Sequence, residues 1–147
     1  FLMIRRPPRS TLFPYTTLSD LHIVSIIDDD GSFLDSMRRL LRSLGYDVAA
    51  FRSAGQFLAS PKLSATTCVI ADVQMPLMTG VELYEHLVAT KQAIPTILVT
   101  GFPNSLVEER MRTLGVECYL RKPLDEAVLI GCLRAACTRR DGPHKNQ

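Results

Sequence analysis

Residues 68–80, CVIADVQMPLMTG, carry the most informative pattern in this chain. This stretch begins with a short apolar run typical of a buried strand, and that run ends at Asp72. Thr79, followed three residues later by Glu82, has the form of a capping box and predicts that a helix begins there. The stretch is therefore expected to form a buried strand, a short loop and the first turn of a helix.

The same alternation of short apolar runs and helical patterns continues on both sides of this stretch. The predicted strands cover residues 23–27, 47–51, 68–71, 97–99 and 117–121. The predicted helices cover residues 33–44, 53–58, 79–90, 105–114 and 125–136. Because right-handed crossovers return over the sheet, this order predicts a doubly wound α/β domain with five parallel strands and helices on both faces.

Composition and charge are those of one globular domain. The chain has 147 residues, of which 46% are hydrophobic and 22% are charged. Its net charge of +2 arises from the ends, since residues 1–20 and 138–147 each carry +2 and residues 21–137 carry −2. We therefore expect no direct nucleic-acid binding by this chain. No run of 18 apolar residues occurs, so we also expect no membrane insertion.

Both ends of the chain are expected to lie outside the domain, which is predicted to span residues 21–137. Residues 1–20 contain three prolines and three arginines without a helical or alternating period, and they resemble a translated sequencing adapter. They are predicted to be a non-native or disordered leader. Residues 138–147 have no pattern and are predicted to be a disordered tail or truncated linker.

The cysteines predict neither a zinc site nor a disulfide framework. Cys68, Cys118, Cys132 and Cys137 form no C-x-x-C pair, and the three histidines are distant in sequence. Cys68 and Cys118 lie in apolar runs and are expected to be small core residues. Free thiols are typical of a reducing cytosol, so a cytoplasmic location is predicted.

Polar or charged residues stand at the ends of four of the five predicted strands. They are Asp28, Asp29 and Asp30 after the first strand, Asp72 after the third, Thr100 at the end of the fourth and Lys122 after the fifth. In doubly wound sheets, ligands bind at the edge where the carboxyl ends of the strands meet. These side chains are therefore expected to converge on one site.

A cluster of carboxylates with this composition is typical of magnesium-assisted phosphoryl chemistry. Carboxylates that converge without a counter-charge repel one another, and a divalent cation with oxygen ligands removes that repulsion. A carboxylate such as Asp72 is then able to attack phosphorus and form an aspartyl-phosphate. The Lys122 ammonium and the Thr100 hydroxyl are suited to bind the oxygens of the incoming phosphoryl group.

Each of these residues also has a purely structural interpretation. Asp30 is as well placed to cap a helix as to bind a metal, and Asp72 before Met75-Pro76 is able to form a turn. On the same structural interpretation, Thr100 simply ends a strand and Lys122 is a solvated charge. The structural interpretation must explain four coincidences at one edge of the sheet, so we favour the functional one.

Together these motifs resemble the receiver domain of bacterial two-component response regulators. The resemblance rests on Asp28-Asp29, on the D-x-x-M-P-x-x-x-G motif at residues 72–80, on Thr100-Gly101 and on Lys122-Pro123. It covers residues 21–137 and implies a flavodoxin-like sheet with strand order 2-1-3-4-5. In detail the pattern is most similar to regulators that carry a downstream helix-turn-helix domain. Residues 134–147 are too few to form such a domain.

The resemblance also implies a function and a set of site residues. Asp72 would be the phosphoacceptor for a sensor histidine kinase, assisted by Lys122 and Thr100. Mg²⁺ would be held by Asp28, Asp29, Asp72 and the backbone carbonyl of Gln74. The domain would promote its own phosphorylation and dephosphorylation without being a turnover enzyme.

A conformational switch is implied by the same resemblance. Thr100 and Tyr119 would form the switch pair, in which Tyr119 turns inward when the phosphoryl group draws the Thr100 hydroxyl. An alternative for Tyr119 is an ordinary strand residue on a half-buried face. The face formed by residues 105–136 would be repacked by the switch and is a possible homodimer surface.

Other functions are kept as alternatives. One alternative is a receiver-fold interaction module that is not phosphorylated, and another is a truncated fragment of a DNA-binding transcriptional regulator. A Mg²⁺ phosphohydrolase would need an acid at position 74, where Gln74 stands. A flavin-binding domain would need a Ser/Thr/Gly-rich loop after the first strand, where Asp28 to Asp30 stand.

Overall fold

A single five-stranded parallel sheet, ordered β2-β1-β3-β4-β5, forms the centre of the domain. The computed structural model describes residues 23–146, with the backbone alone for 139–146, so the predicted leader at residues 1–20 lies outside the described residues. The strands are β1 (Ile23–Ile27), β2 (Asp47–Phe51), β3 (Thr66–Asp72), β4 (Thr96–Thr100) and β5 (Cys118–Arg121). The helices are α1 (Gly31–Ser43), α2 (Ala54–Leu58), α3 (Gly80–Ala89), α4 (Ser105–Leu114) and α5 (Glu126–Asn146). The predicted fold class and strand order are confirmed.

Two hydrophobic clusters, one on each face of the sheet, hold the helices in place. On one face, side chains of α1 and α5 such as Leu41 and Leu133 pack against Ile26 and Ile70 of the sheet. The other face carries α2, α3 and α4. This separation follows from alternation along the strands, because successive side chains point to opposite faces. β3 is buried along its whole length, as expected for a central strand covered on both sides.

The register of the sheet brings the strand ends that carry polar residues to one edge. Ile27 pairs with Ala71, so the acidic run after β1 lies beside Asp72 at the end of β3. Thr100 pairs with Arg121, which places Lys122 just beyond the end of β4. The site is therefore built by the parallel register of the sheet.

Local sequence signals set several of the helix ends. The Thr79 hydroxyl accepts a hydrogen bond from the Glu82 amide at 3.1 Å, and the Glu82 carboxylate accepts one from the Thr79 amide at 3.0 Å. The predicted capping box is thus present, and it fixes the start of α3. Gly115 ends α4 with φ of +109°, a left-handed conformation that glycine adopts without a steric penalty.

The secondary structure differs from the sequence-based prediction in two places. Residues Pro61–Ala65 form a short 3-10 helix that the sequence pattern did not indicate. α5 continues through Asn146 instead of ending near residue 136. Alanine and arginine at residues 134–140 favour helix, which accounts for the continuation as far as residue 140. No helix within residues 23–146, including this long one, combines the length and apolarity needed to cross a bilayer.

The expectation that the cysteines form no disulfide is wrong. Cys118 of β5 and Cys132 of α5 are joined by a disulfide, with their Cα atoms 6.3 Å apart. The pairing was not visible in the sequence because it depends on how α5 crosses back over β5. Cys118 is consequently a bridge residue at the sheet edge, whereas Cys68 is a fully buried free thiol as predicted.

Candidate functional site

Three carboxylates meet at the carboxyl edge of the sheet. Oxygen atoms of Asp28, Asp29 and Asp72, one from each side chain, all lie within 4.8 Å of one another. Asp28 and Asp72 are buried, with 0% and 7% of their surface exposed, whereas Asp29 is exposed. The cluster therefore opens to solvent on the side of Asp29.

Lys122 provides positive charge next to this acidic cluster. Its ammonium donates a hydrogen bond to Asp28 Oδ2 at 2.9 Å and lies 3.6 Å from Asp72 Oδ1. Burial by itself lowers the pKa of Lys122, but the hydrogen bond to Asp28 and the charges of Asp28, Asp72 and Asp30 outweigh it and raise the pKa. Lys122 is thus a fixed cation between two buried carboxylates.

The electrostatic environment of Asp72 is only partly balanced. Burial raises the pKa of Asp72 from 3.8 to about 6, and the Asp28 carboxylate adds to the rise. The charge of Lys122 and the backbone of Gln74 act in the opposite direction. One ammonium does not neutralise three carboxylates, so the cluster favours a further cation.

The donor set of the cluster fits Mg²⁺. Carboxylate oxygens are the hard ligands that this ion prefers, and Mg²⁺ is usually held by one or two carboxylates together with water and phosphate oxygens. The separation of the three oxygens and the raised pKa of Asp72 agree with a site adapted to a divalent cation. Asp28, Asp29 and Asp72 are therefore suitable residues to hold Mg²⁺.

Thr100 lies at the end of β4 and is connected to the loop that follows Asp72. Its hydroxyl donates a hydrogen bond to Gln74 Oε1 at 2.9 Å and accepts one from the Phe102 amide at 2.9 Å. Thr100 is fully buried, whereas Gln74 is exposed. Sequence reasoning assigned a role to the Gln74 backbone carbonyl only, so the side-chain contact is additional.

Tyr119 lies inward, with 5% of its surface exposed. Burial and the charge of Glu108 raise the pKa of its hydroxyl, while a side-chain interaction with Thr100 lowers it. The two residues assigned to the switch are therefore neighbours, and Tyr119 already has the inward position that the resemblance assigns to the phosphorylated state. The half-buried alternative considered for Tyr119 does not describe its packing.

Asp30 caps the start of α1, and this is the structural role that was considered as the alternative for it. Its carboxylate accepts hydrogen bonds from the amides of Ser32 at 2.9 Å and Phe33 at 3.4 Å. Its own amide donates to Asp28 Oδ1 at 2.9 Å and so orients that carboxylate. Asp30 thus helps to orient the Asp28 carboxylate, and it is not one of the three residues of the carboxylate cluster.

Two residues near the site were missed by sequence reasoning. The Phe33 ring lies under the Lys122 ammonium, with 4.3 Å between Nζ and the ring centroid. Arg52, just after β2, donates a hydrogen bond to the Asp29 carbonyl at 2.9 Å. Phe33 was noted only as part of a helical apolar pattern, and nothing in the sequence singled out Arg52, since its approach depends on the position of β2 beside β1.

Comparison with known proteins identifies the family of this chain. The sequence profile described as the response regulator receiver domain matches residues 24–134. The chain belongs to this family. Receiver domains of response regulators are generally not turnover enzymes, and they act in bacterial two-component systems.

Individual relatives support the same assignment. The chain is 34% identical to the response regulator protein TodT of Pseudomonas putida over 114 residues, which cover 78% of this chain and 50% of that protein. It is 32% identical to the transcriptional regulatory protein FixJ of Bradyrhizobium diazoefficiens over 125 residues, 84% of this chain and 60% of that protein. The receiver domain thus spans about half the length of the curated relatives that it matches.

Solved structures share its fold. The response regulator StyR superposes with a TM-score of 0.75 at 30% identity, covering 84% of this chain and 63% of that one. FixJ-N superposes with a TM-score of 0.70 at 29% identity, covering 79% and 93% of the two chains. The receiver fold is therefore common to this chain and to regulators of known structure.

Proposed function

We propose that this receiver domain accepts a phosphoryl group on Asp72 from a sensor histidine kinase in a Mg²⁺-dependent reaction. The observation that carries the proposal is the position of the Asp72 carboxylate, 3.6 Å from the Lys122 ammonium and beside the carboxylates of Asp28 and Asp29. A nucleophile, a fixed cation and a set of metal ligands are the parts that aspartyl phosphorylation requires.

The chemical step follows from these residues. An ionised oxygen of Asp72 forms a bond to phosphorus, while the bond from phosphorus to the donor breaks and its electron pair leaves with the donor. Because the pKa of Asp72 is about 6, the nucleophile is mostly ionised at neutral pH. Asp28, Asp29, Asp72 and the Gln74 carbonyl would hold Mg²⁺, which when bound supplies further neutralisation of the phosphoryl oxygens.

Lys122 and Thr100 stabilise the transferred group. The Lys122 ammonium has three N–H donors and uses one on Asp28, so donors remain for a phosphoryl oxygen. Thr100 would exchange its bond to Gln74 for a bond to phosphate, and Tyr119 would secure the new position of Thr100. The same groups would assist the domain's own dephosphorylation, in which water attacks phosphorus, the bond from phosphorus to the Asp72 oxygen breaks and inorganic phosphate leaves.

Phosphorylation would convert the single charge of the Asp72 carboxylate into an acyl phosphate of about two negative charges. This added charge would repack the face formed by residues 105–136, which we propose as a homodimer surface. Large apolar side chains remain exposed on that face: Leu106, Leu114 and Val128. Family membership is the ground on which we propose a cytoplasmic location, because the disulfide removes the argument from free thiols. The net negative charge of residues 21–137 is the ground on which we propose no direct nucleic-acid contact by this chain. Sedimentation measured with and without beryllofluoride tests the proposed homodimer. A protein that remains monomeric in both conditions would contradict it.

Intact-mass measurement tests phosphoryl transfer. The chain is incubated with acetyl phosphate, with and without Mg²⁺, beside Asp72→Ala and the control Asp47→Ala, in which an exposed acid at the opposite edge of the sheet is removed. We expect one phosphate adduct on the wild type and on the control, dependent on Mg²⁺, and none on Asp72→Ala. Absence of an adduct together with failure to bind beryllofluoride would favour a receiver-fold interaction module.

A further inference from the structure

The Lys122 ammonium is held from two sides. The Asp28 carboxylate bonds to it at 2.9 Å, and the face of the Phe33 ring lies 4.3 Å from the same nitrogen. A cation this close to an aromatic ring is attracted by the negative potential of the ring face, and the attraction increases when the cation is partly desolvated. The Lys122 side chain is only 26% exposed, so solvent screening is limited.

The position of Phe33 is fixed by the acidic run that forms the site. Asp30 caps α1 through the amides of Ser32 and Phe33, which orients the first turn of the helix toward the edge of the sheet. The Phe33 ring is half-buried and packs against the hydrophobic cluster under α1 and α5. A single segment, residues 28–33, therefore supplies two carboxylates, a cap and the ring.

We propose that Phe33 is a positioning residue for phosphoryl transfer, acting by holding the Lys122 ammonium beside Asp72. This inference rests on the proposed function. A ring stabilises the cation without occupying an N–H donor, so donors stay available for phosphoryl oxygens. A further carboxylate in the same place would also hold Lys122, but it would repel the incoming phosphate and increase the unbalanced negative charge around Asp72.

A graded series at position 33 tests this role. The rate constant of adduct formation is measured with Mg²⁺ and subsaturating acetyl phosphate for the wild type, for Phe33→Leu and for Phe33→Tyr. The wild-type ring is also replaced by 4-fluoro- and 3,4,5-trifluorophenylalanine, which weaken the ring potential with little change in shape. We expect Phe33→Leu to be about two- to tenfold slower, Phe33→Tyr to be close to wild type and the fluorinated rings to slow stepwise.

A double-mutant cycle separates positioning from packing. In a Lys122→Ala background, Phe33→Leu should change beryllofluoride affinity by much less than it does in the wild type, because the ring then has no ammonium to hold. Equal changes in the two backgrounds would assign Phe33 a purely structural role. So would fluorinated proteins that react as fast as the wild type while Phe33→Leu is slow.

The same measurements distinguish this inference from the proposed function. If the wild type forms no adduct, the phosphoacceptor proposal fails and Phe33 has no such reaction to assist. If the wild type reacts and Phe33→Leu reacts equally fast, only the role of Phe33 is rejected. Should Phe33→Leu unfold, the fluorinated series still decides, since those rings preserve the packing volume.

Discussion

The hydroxyl of Thr100 donates a hydrogen bond to the side-chain oxygen of Gln74 across 2.9 Å. The bond joins the end of β4 to the loop after β3. In the proposed reaction the same hydroxyl would bond to the phosphoryl group, so Gln74 and phosphate are competing acceptors for one donor. The Gln74 side chain is thereby expected to stabilise the unphosphorylated arrangement.

Replacing Gln74 by Leu should increase the affinity for beryllofluoride in the presence of Mg²⁺. The variant removes the competing acceptor but keeps the backbone carbonyl, and one neutral hydrogen bond corresponds to about a two- to tenfold change. Titration calorimetry measures the affinity. In a Thr100→Val background the substitution should have no effect, and an equal gain there would show that Gln74 does not act through Thr100.

The stability of the metal-free domain should depend on pH through Asp72. Its pKa is raised in the folded state, so the folded protein binds this proton more tightly than the unfolded chain does. That contribution is fully present below pH 3.8 and is lost as pH rises to about 6. Asp72→Asn should then unfold at higher urea concentration than the wild type at pH 7.5 in EDTA, with a gain in the free energy of unfolding of at most about 3 kcal/mol, and show no gain near pH 3.

A stability gain that is independent of pH would contradict the raised pKa of Asp72. The comparison is made within one buffer series, so that other titrating carboxylates contribute equally to the wild type and to the variant.

Asp29 should be needed for Mg²⁺ and dispensable for folding. Asp29 is exposed and faces the cluster, so Asp29→Asn is expected to weaken Mg²⁺ binding at least about tenfold with little change in metal-free stability. Mg²⁺ that binds the folded state raises the melting temperature, and the rise grows with the logarithm of the ion concentration divided by its dissociation constant. The shift measured for the wild type should therefore shrink in this variant. Asp47→Asn, at the opposite edge, should keep the full shift.

A side chain at position 80 should disturb the site. A Cβ on Gly80 would lie against the carbonyl group of Asp72, 2.9 Å from its carbon. Gly80→Ala is therefore expected to cost about 1–3 kcal/mol in the free energy of unfolding and to slow adduct formation. Gly131→Ala in α5 is the matched control, because its Cβ meets nothing within 4 Å, and it should be neutral or stabilising. Equal behaviour of the two variants would exclude the close approach.

The disulfide should be detectable by counting thiols. Of the four cysteines, two should react with a thiol reagent in denaturant without reductant, and all four after reduction. The bridge closes a short loop, so reduction is expected to lower the free energy of unfolding by at most about 3 kcal/mol. The double variant Cys118→Ser, Cys132→Ser should be insensitive to reductant. Four reactive thiols before reduction would show that the bridge is absent.

Sequence information was sufficient where the signal is local. The capping box at Thr79 involves residues three positions apart, and it predicted the start of a helix correctly. The predicted end of the helix at residue 114 is likewise correct, with Gly115 as its cap. The strand order was taken from the family resemblance, and the parallel register then brings Asp28, Asp72 and Lys122 to one edge. The fold and the convergence of these charged residues at one edge of the sheet were therefore predictable.

What escaped prediction depends on contacts between distant elements. The Cys118–Cys132 bridge arises from the packing of α5 on β5, and Arg52 reaches Asp29 because β2 lies beside β1. The bond from Thr100 to Gln74 depends on the conformation of a loop side chain. Each of these is set by tertiary geometry, which composition and periodicity do not contain.

The ion pair between Asp28 and Lys122 spans 94 positions of the chain. A growing polypeptide contains the acidic residues early, but it lacks the ammonium until nearly the whole domain has been synthesised and the last strand has docked. Incomplete or misfolded chains would display the aspartates without the cation that pairs with them. In the proposed reaction, only finished, folded copies would therefore present both the acidic cluster and its ammonium to a phosphoryl donor.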